Sequence, residues 1–275
     1  MLRSSTSLRL YGVKNCVTLA MTATATSAEV KEVVTPLGLR TAPILLTISP
    51  ILPHIKFSVL RRPSSNFGMD GTCTRDGKRQ PGLMDLLYRV YLKQYFRDLE
   101  SGSKPKKCII FSRGINVLGE IFSRLMDSTN YKYKDCRSSP FVINHSSLLP
   151  PTEKVIRERA SDISLYLSSN KMLMGIDLHE IDVVIFLRPF NQLSALIQGA
   201  GRGGRRLGNG KRRRVQVYQL YNMQDFNDKR MSVKMKELCL STDCSRRLLM
   251  DYFVGEKQDA NVSDGHCCHS CDLSS

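Results

Sequence analysis

Cys108-Ile-Ile-Phe111, followed by Ser112-Arg-Gly and then by Val117, Leu118, Ile121, Phe122 and Leu125 at helical spacing, is the stretch that decides the architecture. An unbroken apolar run of this length reads as a strand covered on both faces. The polar break after it turns the chain, and apolar recurrence at three and four residues gives a helix with one buried face. The unit then repeats. Phe141-Val-Ile-Asn-His145 is a second strand, Pro150-Pro151 opens a helix over 152–160, 163–167 is a third strand, and 181–187 and 215–220 are two more. Strands alternating with helices of this length predict a parallel sheet with helices on both faces, an α/β domain over about 105–222. Ligands of such folds sit at the carboxyl ends of the strands.

Ahead of it, 83–99 reads as a helix with an apolar face at Leu83, Leu86, Leu87, Val90 and Tyr91. Residues 61–82 are rich in Ser, Gly, Arg and Asp and read as a linker or exposed loop. Residues 16–21 form a buried strand ending in Thr22-Ala-Thr-Ala-Thr26, with too little chain before it to build a domain, so 1–60 reads as the remnant of another fold. The first 28 residues contain no acid and mimic a targeting peptide, though the strand and turn explain them better.

The whole chain has 275 residues, 41% of them apolar and 24% charged, which is globular usage. Lys and Arg number 41 against 25 Asp and Glu, a formal charge of +16 that favours a polyanion as partner. No apolar run is long enough to span a bilayer, so no membrane role is expected. Nine cysteines are an odd number, and Cys239, Cys244, Cys267, Cys268 and Cys271 crowd the end of the chain beside His266 and His269. That pattern suggests a metal site in a reducing compartment rather than a disulfide framework.

The sharpest constellation is Gln198-Gly-Ala-Gly201-Arg202-Gly-Gly204-Arg205. On a continuous helix, Leu193, Leu196, Ile197 and Ala200 would share one face, with Gln198, Arg202 and Arg205 on the opposite one. Two guanidiniums and an amide would then point together, a fit for phosphate oxygens, and Gly201 and Gly204 would let a ligand or backbone come close. The plainer alternative is a solvated basic segment or an electrostatic nucleic-acid footprint, since 202–214 carries seven basic residues and no acid.

Thr22-Ala-Thr24, the 108–113 run, His145, Met174-Gly-Ile-Asp177 and the 198–205 segment occur in the order and at about the intervals of motifs III, IV, IVa, V and VI of superfamily-two helicases. The chain resembles the RecQ family in particular. Further matches are Leu19-Ala-Met-Thr-Ala-Thr-Ala-Thr26, Pro53-His-Ile-Lys-Phe-Ser-Val59, and Cys244 followed by Arg246-Arg247-Leu248-Leu249 and Tyr252-Phe253. The resemblance implies a RecA-like helicase C-terminal lobe over 83–224, a small helical zinc-binding subdomain over 225–275, and in 1–60 a remnant of the first RecA-like lobe. It implies an ATP-dependent 3′-to-5′ DNA helicase of nuclear recombination and repair. Arg202, Arg205 and Gln198 would reach ATP bound between two lobes; Thr22, Thr24, Gly175 and Asp177 would couple hydrolysis to movement. Ser169 and Asn170, with Lys211, Arg212, Arg213 and Arg214, would contact DNA.

The departures matter as much. Leu173 and Lys171 stand where the family has Gly and Ala, which puts the motif V loop's route in question. No Gly-x-x-x-x-Gly-Lys-Ser/Thr and no Asp-Glu-x-His occurs in the sequence, so ATP with Mg2+ would be used only with a first lobe supplied in cis or in trans. Alone, the chain is expected to bind DNA without turnover. The alternatives are a catalytically silent nucleic-acid-binding remnant and a small zinc-dependent interaction domain. For Zn2+ the first choice of ligands is Cys244, Cys267, Cys268 and Cys271, although adjacent thiolates bind one ion awkwardly and a histidine could replace one.

Overall fold

The computed structural model describes residues 29, 32, 53–63, 68–73, 77–135, 137–169, 180–204, 213–253 and 267–274. Six strands form one sheet: β1 (Ile55–Arg61), β4 (Lys107–Phe111), β5 (Phe141–Asn144), β6 (Leu165–Ser168), β7 (Ile181–Phe186) and β8 (Val215–Tyr221). Their order is β1-β8-β7-β4-β6-β5, and every neighbouring pair is parallel. The α/β architecture expected from the alternating pattern is thus present.

The reason lies in the period-two alternation of strands that are apolar on both faces. In β4, Ile109 and Phe111 face one layer with the α5 helix (Leu193–Ala200), while Cys108 and Ile110 face the other with Leu118, Ile121 and Leu125 of α3 (Ile115–Ser128). Phe111 stacks on Phe186 of β7 at 5.2 Å between ring centroids. Helix α4 (Pro150–Glu158) adds Ile156 to the first layer. No helix among the described residues is long and apolar enough to cross a membrane.

The helix expected over 83–99 is interrupted. It runs as α1 (Leu83–Leu87), a π-helical turn at Tyr88–Leu92, and α2 (Lys93–Glu100). The wider turn rotates the buried face so that Tyr91, Leu92 and Tyr95 follow Leu86 and Leu87 into the core, and the Tyr91 hydroxyl donates to the Lys106 carbonyl at 2.6 Å.

Two boundaries differ from the sequence reading. The strand Ile55–Arg61, taken with the segment before the loop, hydrogen-bonds along its whole length to β8 and belongs to this sheet. Residues 61–82 are also more than a linker, for they carry the short antiparallel ribbon β2 (Thr72–Cys73) and β3 (Arg79–Gln80). The ribbon is clamped to the start of α1: a Cβ on Gly71, whose φ is +79°, would lie 2.1 Å from the Gln80 carbonyl oxygen, and one on Gly82 would lie 2.2 Å from the Gly71 nitrogen. Only glycine allows the two backbones to meet. The expected strand over 16–21 lies outside the described residues.

After β8, a 3-10 turn at Met223–Asn227 leads to α6 (Val233–Leu240), α7 (Ser245–Phe253) and α8 (His269–Ser274). Met235, Leu238, Leu249 and Phe253 join the same apolar layer as β1. Arg246 of α7 donates to the Ile55 and Pro53 carbonyls at 2.6 and 3.1 Å, so this helical region is fastened to the sheet's β1 edge.

Candidate functional site

The carboxyl ends of the strands carry arginines. Arg113 follows β4, Arg188 follows β7 and Arg62 follows β1; two aspartates from the turn after β8 hold them. The Arg62 guanidinium pairs with Asp225 at 2.7 Å, with side chains 8% and 6% exposed, and Arg188 approaches the same carboxylate at 3.9 Å. Asp225 is fixed in turn by the Asn222 N–H at 2.8 Å. Arg113 reaches the Asn191 side-chain oxygen at 2.6 Å, the Pro189 carbonyl at 3.0 Å and Asp228 at 3.3 Å. Hydrogen bonds from the Arg230 side chain and backbone, with Arg113 nearby, push the Asp228 carboxyl down to about 2. The result is a guanidinium-rich rim held in place by two acids. Ser169 sits on the same rim beyond β6, its N–H donating to the Asn144 carbonyl at 3.1 Å.

Arg202 lies at the opposite rim. Helix α5 ends at Ala200, and the chain turns immediately: the Arg202 N–H donates to Gly199 and the Gly204 N–H to the Ile181 carbonyl, at the amino end of β7. The helical face expected to align Gln198, Arg202 and Arg205 therefore stops short of Arg202, and Arg205 lies outside the described residues. The glycines here serve packing against the lobe itself. A Cβ on Gly203 would lie 2.5 Å from the Val215 side chain, and one on Gly204, at φ +62°, 2.4 Å from the His54 ring. Gln198 and Arg202 are half-buried, and burial lowers the pKa of Arg202.

The DNA-contact residues implied by the resemblance are split between these rims. Arg213 and Arg214 precede β8 at the amino rim, where Arg213 pairs with Asp182 at 3.5 Å and Glu180 at 3.9 Å. A seven-residue strand separates them from the carboxyl rim by roughly 20 Å. Asn170, Lys211 and Arg212, and the coupling residues Thr22, Thr24, Gly175 and Asp177, lie outside the described residues. Sequence reasoning missed Arg62, Arg188, Asp225 and Asp228. A signal was available, because Phe111-Ser-Arg113, Phe186-Leu-Arg188 and Leu60-Arg-Arg62 each place an arginine just past an apolar strand.

The third constellation is a knot of thiols. The Sγ atoms of Cys244, Cys267, Cys268 and Cys271 lie within 4.8 Å of one another. Four of the separations are 3.4 Å (Cys244 to Cys267), 3.3 Å (Cys267 to Cys271), 3.8 Å (Cys268 to Cys244) and 3.5 Å (Cys268 to Cys271). A tetrahedral zinc with bonds of about 2.3 Å has edges of about 3.8 Å, which lies between these four separations and the 4.8 Å that bounds the set, so small shifts of the thiols would seat that ion. The adjacent pair is accommodated because the Phe57 N–H donates to the Cys267 carbonyl and a bridge joins Phe57 to Cys268, which pins both cysteines beside β1. Burial works against ionisation of Cys268, but N–H groups of Cys271 and Ser245, with neighbouring thiols, outweigh it and bring that thiol down to about 7, while burial pushes Cys267 up to about 11 and raises Cys271 as well. A thiolate is the form that binds metal. His269 is exposed, and Cys239 lies in the apolar core, where burial pushes its thiol up to about 12.

A parallel sheet of this order, arginines at both rims and helices on both faces can now be set beside known proteins. Residues 89–206 match the helicase conserved C-terminal domain. No curated protein sequence matches the chain. Solved structures similar to this chain include S. cerevisiae Dbp5 bound to RNA and ADP BeF3, at 14% identity and TM-score 0.53 over 91% of this chain and 52% of that one. A variant of Dbp5 in the same bound state gives 14% identity and TM-score 0.51 over 91% and 52%. The C-terminal part of the Fun30 ATPase domain gives 20% identity and TM-score 0.39 over 67% and 50%. At such identities the likeness to the Dbp5 structures is one of fold, and the chain spans about half the length of all three structures.

Proposed function

We propose that this chain is the second lobe and zinc-binding region of a RecQ-like, ATP-dependent 3′-to-5′ DNA helicase, acting with a first RecA-like lobe in cis or in trans. The observation that carries this reading is the four-thiol cluster built directly onto the edge of a helicase C-terminal sheet. Zinc held by Cys244, Cys267, Cys268 and Cys271 would cross-link α7 and α8 to β1 and so stabilise the helical region. The carboxyl rim supplies fixed guanidiniums for backbone phosphates, the commonest kind of contact to nucleic acid. At the amino rim, Arg202 would meet a nucleotide whose phosphate loop, Mg2+ ligands and first lobe come from elsewhere, and there it would stabilise charge on the transferred phosphoryl group.

The full chain should contain about one zinc by elemental analysis and lose it when Cys268 and Cys271 are changed to Ser. It should prefer a labelled DNA strand over the same RNA sequence in competition. Absence of zinc together with RNA preference would overturn the RecQ-like reading. A nucleotide-independent nucleic-acid-binding remnant is the second reading, favoured by the absence of a phosphate-loop lysine from the sequence. Arg202→Gln separates the two when a RecQ-type first lobe is supplied: loss of ATP-driven unwinding with strand binding intact supports the motor, and no unwinding by the unaltered chain supports the remnant.

A further inference from the structure

A cavity of about 490 Å3 opens between the carboxyl end of β1, the β2–β3 ribbon and the first turns of the α1 helix. Arg61, Arg62 and Arg89 supply its charge, and Pro63, Pro81 and Leu86 its apolar wall. This corner is formed by the segment that reads from sequence as a linker, and the Gly71–Gly82 contact makes its wall a packed one. Further ties come from the Met84 N–H donating to the Met69 carbonyl at 2.9 Å and from the Arg124–Asp70 ion pair.

The charge distribution in the cavity is uneven. Asp85, its one acid, is already engaged: it accepts from the Gly82 N–H at 2.8 Å and pairs with Arg79 at 2.9 Å. Arg62 is 8% exposed; one terminal nitrogen binds Asp225, the other reaches the Pro63 carbonyl at 3.5 Å, and its Nε–H, sealed from solvent, has no acceptor among the described residues. Arg61 and Arg89 are exposed and have no ion-pair partner among the described residues. Two exposed guanidiniums without an ion-pair partner among the described residues thus line a half-open space with an apolar wall. Such a space suits a phosphate with a sugar or base beside it.

We propose that this pocket holds a backbone phosphate of a nucleic-acid strand, gripped by Arg61 and Arg89. The proposal rests on the nucleic-acid reading above and extends it. β1 lies three strands from β4, so the pocket sits about 14 Å along the carboxyl rim from Arg113 and would lengthen the strand's track toward the ribbon. The phosphate chemistry could also come from a free phosphate, and the test separates the two sources.

Anisotropy of a fluorescein-labelled 20-nucleotide DNA strand would be titrated with the full chain across a NaCl series. The double variant Arg61→Gln/Arg89→Gln changes exposed side chains and should keep the unaltered circular dichroism spectrum. Removing two phosphate contacts should flatten the slope of log affinity against log salt by about 1.4, at about 0.7 per contact on a single strand. Arg61→Lys/Arg89→Lys should restore most of that slope, because lysine keeps the charge. An unchanged slope in the glutamine variant, with the unaltered chain binding normally, overturns the pocket alone. No strand binding by the unaltered chain instead overturns the nucleic-acid reading on which it rests. A thermal shift with inorganic pyrophosphate that the glutamine variant abolishes, while its strand slope stays unchanged, assigns the pocket to free phosphate and also overturns the proposal.

Discussion

Asp225→Asn removes the charge that holds the carboxyl rim together, and its cost can be worked from the geometry. The carboxylate meets Arg62 at 2.7 Å with both side chains more than nine-tenths buried, so the variant leaves a guanidinium out of water without its counter-ion. Breaking a buried pair by removing one partner costs about 3–5 kcal/mol. Arg188, half exposed and 3.9 Å from the same carboxylate, cannot offset the loss, because it carries the same charge as Arg62. With a urea slope of about 3 kcal/mol/M, the unfolding midpoint should fall by about 1–1.7 M. Asp70→Asn is the internal control. It breaks the pair with Arg124, whose side chains are 57% and 43% exposed, and should cost about 1 kcal/mol or less. Arg62→Met combined with Asp225→Leu should recover most of the lost stability, because the unpaired charge is then gone. If Asp225→Asn costs no more than Asp70→Asn, the rim is not organised by this pair and the reasoning is wrong.

Two further predictions concern the amino rim and the buried thiols. Gly204→Ala puts a Cβ 2.4 Å from the His54 ring at a left-handed φ of +62°, so it should destabilise by about 2–5 kcal/mol in the same urea assay, whereas a loss below about 0.5 kcal/mol would mean the turn is free to move. Iodoacetamide at pH 8 should label exposed Cys73 in the folded chain and spare Cys108 and Cys239, whose thiols burial pushes up. The sign for stability follows. Folded Cys239 keeps its proton to about pH 12, while the unfolded chain releases it near 9.0, so its contribution is full below pH 9 and declines between those values, by about 1.4 kcal/mol per pH unit. A flat stability profile over that window would contradict the assignment.

The sheet was readable because its strands are apolar on both faces and its helices on one. The 108–111 run, all buried in the structure, could belong nowhere else. The end of α5 was not readable. Nothing in Gln198-Gly-Ala-Gly201-Arg202 shows that a helix must stop for Gly203 and Gly204 to pack on Val215 and His54, side chains that are distant in sequence. The same holds for β1, whose place is set by pairing with β8 across more than 150 residues, and for the ribbon, whose polar composition resembles that of a linker. Convergence of Cys244 with the Cys267–Cys271 group depended on a β1 contact that spacing alone does not encode; the family resemblance and the crowding of thiols named these four as a first choice, and the structure brings their Sγ atoms together.

Photo-cross-linking of a 4-thiothymidine-substituted single DNA strand to the full chain, followed by peptide mapping, tests the central assignment of the two rims most directly. Cross-links should fall on peptides carrying Arg113, Ser169 and Arg188, at the carboxyl ends of β4, β6 and β7. Cross-links confined to peptides carrying Arg202, Arg213 and Arg214, at the amino rim, would contradict it.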